Sequence, residues 1–345
     1  MSYTILHDTG LAAVADRDKV TIYVQLSNGS LGEATSSPNG NWNVSPIQIP
    51  NAPAPKLYTP LVVLIGKNQQ RHLFYIEGNN YLSEAVYKDK DSGWSIGTLR
   101  TLGIIPAQYS KIAAAKPFEG NDQICVFYQV PNMSGAIRQV TWNGTWWTQD
   151  TRDLGDDVLT GTGLAAVGAE LGTNISNTKT ENPPVVFFQQ SNLDLAWLQD
   201  TSTRKINDVD PTASPHTPLA ATGPRNENLD IGSDLFYTSD QNVIQSLAVD
   251  ELGKKYGIDE VTATTPKGNL AAVVAKKRVG TRNVDQVIVI YQGPGTEPQS
   301  QSVPDGSTKR DTGACLYQTS YIVTKADEGG KLARSEFEHA LLRFE

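Results

Sequence analysis

The sequence predicts an all-β protein, a β-propeller of six blades with about four strands each. Three observations carry this expectation. First, one short stretch keeps returning: Thr9-Gly-Leu-Ala-Ala-Val14 recurs unchanged as Thr162-Gly-Leu-Ala-Ala-Val167. Looser copies begin at Thr59, Ser110, Thr217 and Gly268, so the starts stand 50 to 55 residues apart. A fixed period of roughly 40 to 50 residues marks a repeat architecture. Second, a hairpin pattern follows each copy, as in Val20-Thr-Ile-Tyr-Val-Gln25, Ser-Asn-Gly, then Ser30-Leu-Gly-Glu-Ala34. Aromatic and β-branched residues flanking Asn, Gly, Asp and Ser are a hairpin signal. Third, a Trp often closes the unit, at Trp42, Trp94 and Trp147. A sheet this small cannot bury both of its faces alone, so such sheets pack radially around a channel.

The repeated stretch suits a buried inner strand. Its small and branched apolar residues let neighbours approach closely. Blades one to five begin near Asp8, Tyr58, Tyr109, Gly161 and His216. Met1 to Leu6 is expected as an edge strand that closes the ring against the C-terminal blade. Gly168 to Pro184 reads as a long loop inside blade four, and Asp200 to Pro215 as a polar replacement for its outer strand. Val287 to Gln292 is a second strand, and Gly293 to Lys309 a turn-rich loop. Beyond it Asp311-Thr-Gly-Ala-Cys-Leu316 echoes the repeat, so seven blades with a short last one is the alternative to six. Glu336 to Leu342 is the only helix-compatible stretch. Residues 1–345 are expected to form one domain.

Composition removes several classes. A net charge of −8 and a pI near 5.1 disfavour nucleic acid or an anionic membrane as partner. No apolar run approaches the roughly 18 residues of a membrane span. The first residues lack a basic and then apolar leader, so a cytoplasmic location is expected. Cys125 and Cys315 read as two buried thiols in strands. Asn28, Asn43, Asn132, Asn143 and Asn174 stand in glycosylation sequons, where Asn also serves as a turn residue. No spacing suits a metal, and no cofactor motif is present, so neither is expected.

The residue just before each inner strand is informative. Down the repeats it is Asp8, Tyr58, Tyr109, Gly161, His216 and Lys267, with Asp311 as a seventh. These positions are expected to ring one mouth of the channel. An acid, two phenols, an imidazole and an amine facing one cavity form an acid/base set. The bland alternative is a polar lip of ordinary surface residues.

The order of inner strand, x-Tyr/Phe-x-Gln, Asn-Gly-x-Ile/Leu-x-Glu and Gly-x-Trp resembles the Aleuria-type fungal fucose-specific lectins, from about His7 to Gln292. The resemblance implies a six-bladed propeller with sugar sites between blades. It implies an Arg on the second strand, a Glu on the third, and a Trp or Tyr from the next blade. The Arg position holds Thr21, His72, Cys125, Val185 and Ile288, with blade five open between Ser233 and Leu235. The acid survives as Glu33 and Glu84, and becomes Gln139 and Trp197. Thr, Val, Ile or Cys cannot supply the paired donors of a guanidinium. Glu33 and Glu84 then read as solvated hairpin residues, the Trp residues as packing between blades, and Trp147 as the exposed one.

Two functions compete. Propellers without the sugar residues resemble the fungal hetero-Diels–Alderases of tropolone-sesquiterpenoid pathways. That resemblance implies a cofactor-independent pericyclase acting on a polyketide or terpenoid substrate, with His216 or Lys267 as acid, Tyr58 and Tyr109 as oxygen donors, and Asp8 beside them. The alternative is a lectin of altered glycan specificity, with Glu33, Glu84, Trp94 and Trp147 as ligand contacts. A homodimer is the open expectation for assembly.

Overall fold

A computed structural model describes residues 3–342 apart from 17–18, 37–41, 118–121, 132–134, 169–182, 207–208, 210–211, 224–232, 250–254, 264–267, 280–281, 293–315, 325–332 and 335–337. Six antiparallel sheets follow one another along the chain. Their inner strands are Ala12–Asp16, Val62–Ile65, Ile112–Ala115, Ala165–Val167, Leu219–Thr222 and Leu270–Val279. The second strands are Lys19–Gln25, Arg71–Ile76, Ile124–Gln129, Val185–Gln189, Ser233–Thr238 and Arg282–Gln292. The third strands are Leu31–Ser36, Leu82–Tyr87, Ile137–Trp142, Leu195–Gln199, Val243–Val249 and Leu316–Thr324. Outer strands run Trp42–Pro46, Trp94–Ile96, Trp147–Gln149, Ser202–Lys205 and Lys255–Ala263, and Ala333–Arg334 with Glu338–Leu341 completes blade six. Six apolar clusters, one between each neighbouring pair including six and one, close the ring.

This is a six-bladed propeller. The second half of the late repeat does not start a new blade, because Leu316–Thr324 pairs with Arg282–Gln292 as the third strand of blade six. Asp311, Cys315, Lys267 and the loops at 169–182 and 293–309 lie outside the described residues. Two expectations are corrected. Blade four has a regular outer strand, since Ser202–Lys205 pairs with Leu195–Gln199. The helix-compatible stretch near 338 is a strand, because the edge of Leu316–Thr324 offers it a ladder of hydrogen bonds. At the N-terminus Ile5 bridges Leu26 of its own blade, and blade six meets it through side chains such as Leu316 and Leu342.

The repeated residues explain themselves in place. In blades one to five the hydroxyl that opens the repeat accepts the backbone N–H that ends the second strand. The pairs are Thr9 with Gln25 (2.6 Å), Thr59 with Ile76 (2.7 Å), Ser110 with Gln129 (2.9 Å), Thr162 with Gln189 (2.7 Å) and Thr217 with Thr238 (2.8 Å). The glutamine at that strand end then ties blade to blade. Gln25 donates to Gly29 O of its own hairpin and to Lys56 O of blade two, and accepts from Tyr58 N. Gln129 and Gln189 repeat this toward blades four and five. Asn269 closes the ring by donating to Asp8 O and Thr9 O. Each buried amide thus satisfies several backbone groups that no strand could reach. The inner strands surround a cavity of about 800 Å³.

Tyr75 is an imperfect spot. It is fully buried, yet its hydroxyl makes no well-formed hydrogen bond, and Ser83 lowers its pKa only as a lesser influence. Ser83 gives its proton to Glu77 instead, and Arg100 completes that carboxylate at 2.8 Å. Burial, with Glu77 beside it, pushes the phenol up to about 12. Tyr75→Phe is therefore expected to raise stability at neutral pH by about 1 kcal/mol, since the buried unpaired hydroxyl disappears. The wild type binds an extra proton when folded between pH 10 and 12, so its stability should fall across that window. Urea titrations of both proteins at pH 7 and pH 11 check both effects.

Candidate functional site

Strand register makes the six clefts comparable. In each blade the last residue of the inner-strand repeat pairs with Thr21, His72, Cys125, Val185, Asp234 or Ile288. Blade five is thereby resolved to Asp234, between the two residues that sequence left open. Two residues on, the third-strand partners are Glu33, Glu84, Gln139, Trp197, Ser246 and Gln318. Three residues further, the outer-strand partner is Trp42, Trp94 and Trp147 in blades one to three, and Lys255 in blade five. Each of those tryptophans packs against the preceding blade.

The cleft between blades one and two holds the richest set. Arg71 precedes His72, so strand alternation turns it to the other face, toward blade one. Its Nη1 donates to Glu33 Oε1 at 2.9 Å and to the Tyr23 hydroxyl at 3.0 Å. The guanidinium lies 5.2 Å from the centre of the Tyr87 ring. Trp94 stands edge-on to Tyr23 at 5.8 Å and 5.4 Å from Tyr87. Burial opposes the Arg71 charge, but Tyr23 and Glu33 outweigh it, and its pKa rises. Burial, then Glu33, holds the Tyr23 phenol far above its ordinary value. Both Arg71 and Glu33 side chains keep 18% of their surface open to solvent. Two expectations fail here. Glu33 is ion-paired in a cleft and is not a solvated hairpin residue, and a guanidinium does reach it. Reading only the second-strand position that resemblance singled out missed Arg71, because the arginine comes from the neighbouring blade one residue earlier. The alternation of the strand was the signal that could have found it.

The next cleft repeats the theme in closed form. His72 Nδ1 lies 2.7 Å from Glu84 Oε1, and Trp147 Nε1 donates to Glu84 Oε2 at 3.3 Å. All three are buried. Phe74 meets the Trp147 ring edge-on at 5.9 Å. A Cβ at Gly97 would fall 2.2 Å from Glu84 Oε2, so backbone crosses directly over the carboxylate. Glu84 is therefore not solvated either. Trp147, expected to be the exposed indole, is covered, while its neighbour Trp146 is 59% exposed. The Trp147 ring fills the space between blades two and three that the outer strand closes.

The other clefts differ. Between blades three and four, Gln139 Nε2 stands 3.4 Å from the Cys125 sulfur, itself 3.8 Å from the Thr141 hydroxyl. Between four and five, Trp197 carries the Arg204 guanidinium 5.3 Å over its ring. Between five and six, the Tyr321 hydroxyl donates to Asp234 at 2.6 Å. Between six and one, Trp42 sits among Ile288 and Ile290.

Four of the residues that precede the inner strands share one backbone geometry. Asp8, Tyr58 and His216 have φ of 54°, 60° and 58°, and Gly161 has 79°. The glutamine ties hold them at turn tips, because those amides accept from Tyr58, Gly161 and His216 N–H. Tyr58 and Tyr109 are exposed at 55% and 37%. His216 Nδ1 lies 3.3 Å from Gly161 O. A Cβ at Gly161 would come 3.4 Å from His216 Nδ1 and 3.7 Å from Tyr109 Cβ, so these three meet at a notch. Asp8 pairs with His7 at 3.0 Å in solvent. Among the described residues no His, Cys, Asp and Glu group could hold a metal, and no helix is long and apolar enough to cross a membrane.

Comparison with known proteins points one way. Residues 5–297 match the family described as fungal fucose-specific lectin. A fucose-specific lectin of Aspergillus oryzae is 26% identical over 281 residues, which cover 79% of this chain and 84% of that protein. Among solved structures, the AofleA protein of Arthrobotrys oligospora superposes with a TM-score of 0.70 at 19% identity, covering 99% of this chain and 91% of that one. The Aleuria aurantia lectin, described as a six-bladed β-propeller with a novel fucose recognition mode, gives a TM-score of 0.67 at 20% identity, over 99% and 97%. At those identities the structural likeness speaks for the fold.

Proposed function

The chain belongs to the fungal fucose-specific lectin family, and from that premise we propose that it binds a neutral, fucose-type sugar in the cleft between blades one and two. The observation that supports this most is the Arg71–Glu33 pair set among Tyr23, Tyr87 and Trp94. A pyranose with several adjacent hydroxyls needs paired donors, an acceptor and an apolar wall. Arg71 keeps donors beyond the two Nη1 hydrogens spent on Glu33 and Tyr23, and its rigid fork suits neighbouring hydroxyls. Glu33 Oε2 remains to accept a hydroxyl proton. Trp94 and Tyr87 offer ring faces to the C–H side of the sugar. Because Glu33 already balances Arg71, the cleft favours a neutral sugar over a charged one.

A glycan array followed by calorimetry with methyl α-L-fucoside tests the reading. The expected outcome is a Kd below about 1 mM, or roughly −4 kcal/mol. An array silent for every fucosylated glycan would sink it.

A second reading is kept on one observation, the meeting of Tyr109, Gly161 and His216 at the channel mouth. In it the mouth residues, with Tyr58, Asp8 and Lys267, supply acid and oxygen-donor groups for a cofactor-free cycloaddition of a tropolone quinone methide onto a humulene-type olefin. The comparisons lend this reading no support, and it ranks second for that reason.

A further inference from the structure

We propose that Lys111 is a nucleophilic amine that forms an imine with apolar aldehydes, alkyl or aryl, at the mouth of the central channel. Lys111 is the second residue of its repeat, where the other blades carry Gly10, Pro60, Gly163, Pro218 and Asn269. The position is crowded against the next blade. A Cβ would fall 2.3 Å from Thr59 O at Gly10 and 2.2 Å from Thr217 O at Gly163. Asn269 uses that closeness, donating to Asp8 O at 3.1 Å and to Thr9 O at 2.8 Å. By the repeat, the equivalent carbonyls next to Lys111 are those of Gly161 and Thr162. The Lys111 amine takes neither. Its backbone carbonyl accepts from the Ser110 hydroxyl, but its side chain has no hydrogen bond and no ion pair among the described residues.

The residue is nonetheless largely buried. Strand alternation sets it on the side of Ala113, which packs with Leu164, Val186 and Phe188 between blades three and four. The next residue, Ile112, belongs with Leu11, Leu61, Leu164, Leu219 and Leu270 to an aliphatic collar, one residue per blade, that lines the channel cavity. Burial without a counter-charge holds the amine below the ordinary lysine range. A larger share of it is therefore unprotonated at neutral pH, and desolvation is what activates a lysine toward carbonyl carbons. Nζ attacks the aldehyde carbon. The carbinolamine hydroxyl then takes a proton and leaves as water, and the imine remains. No oxidant or cofactor enters that balance. An alkyl or aryl tail has the collar for a wall, whereas a polar aldehyde gains nothing from it. The proposal rests neither on sugar binding nor on the cycloaddition.

Reductive alkylation of the unaltered protein tests it. Hexanal with sodium cyanoborohydride at pH 7 traps each imine as a secondary amine, and mass spectrometry of tryptic peptides reads the rate at each lysine. Lys88 and Lys90, both solvent-exposed, are the internal references. Lys111 is expected to react about tenfold faster than either, the gain in free amine that a pKa lower by about one unit brings. It should also keep its rate to a lower pH than they do. With glycolaldehyde, which has no apolar tail, the advantage should shrink severalfold. A Lys111 rate no greater than those of Lys88 and Lys90 overturns the proposal, and so does an undiminished advantage with glycolaldehyde. Because every rate is read on the same folded chain, loss of fold cannot imitate either result.

Discussion

Arg71→Met should abolish fucoside binding and destabilise the protein by about 2 kcal/mol. The first effect follows because the donors of the cleft come from this one side chain. The second follows because Glu33 would keep its burial and lose its counter-charge. An unpaired carboxylate in a cleft costs more than the pair contributed. A deeply buried pair would lose about 3–5 kcal/mol, and the 18% exposure of both partners here reduces that. The double variant Arg71→Met/Glu33→Gln separates the two effects. It should recover most of the stability, because the amide carries no charge, yet still fail to bind sugar. Calorimetry with methyl α-L-fucoside and urea unfolding at pH 7 are the measurements. If the single variant binds as well as the wild type, the cleft between blades one and two is not the sugar site.

Gly163→Ala is expected to damage the ring itself. A Cβ at this position would fall 2.2 Å from Thr217 O, 3.0 Å from Leu219 N and 3.1 Å from Leu219 Cγ. Two of those atoms are backbone at and just before the start of the next blade's inner strand, so no side chain can swing aside. The blade must move, and with it the Gln189 tie that joins the same two blades. Overpacking commonly costs about 1–3 kcal/mol, and a clash with backbone belongs at or beyond the upper end. Gly10→Ala meets Thr59 O at 2.3 Å and should behave alike. Gly223→Ala has nothing within 4 Å and should stay within about 0.5 kcal/mol of wild type. Equal unfolding midpoints for the Gly163 and Gly223 variants would refute the close-approach account.

The fold was legible because its information is local and repeated. The stretch Thr9 to Val14 occurs six times in recognisable form, and each copy marks an inner strand that the structure contains or adjoins. Glutamines such as Gln25 were visible as a motif, but their task was not. They bridge residues some 30 positions apart, and no periodicity of one strand reports that. The misreadings have the same origin. Trp146 and Trp147 are neighbours with the same chemistry, and only packing against Phe74 and Glu84 decides which is covered. Glu33 and Glu84 occupy equivalent places in similar hairpins, yet one lies in an open cleft and the other beneath the backbone at Gly97.

By itself the sequence determined that the chain is all-β, repeats with a period of 50 to 55 residues and builds its inner strands from small residues. Period, turn chemistry and side-chain size are properties of short segments, and short segments carry them unaided. The tertiary structure alone decided which residues form a site. Every cleft is shared by two blades, and the two contributions lie tens of residues apart in the chain. Arg71 meets Glu33 only because blade two turns that face of its strand toward blade one, a relation set by radial packing and invisible along the chain.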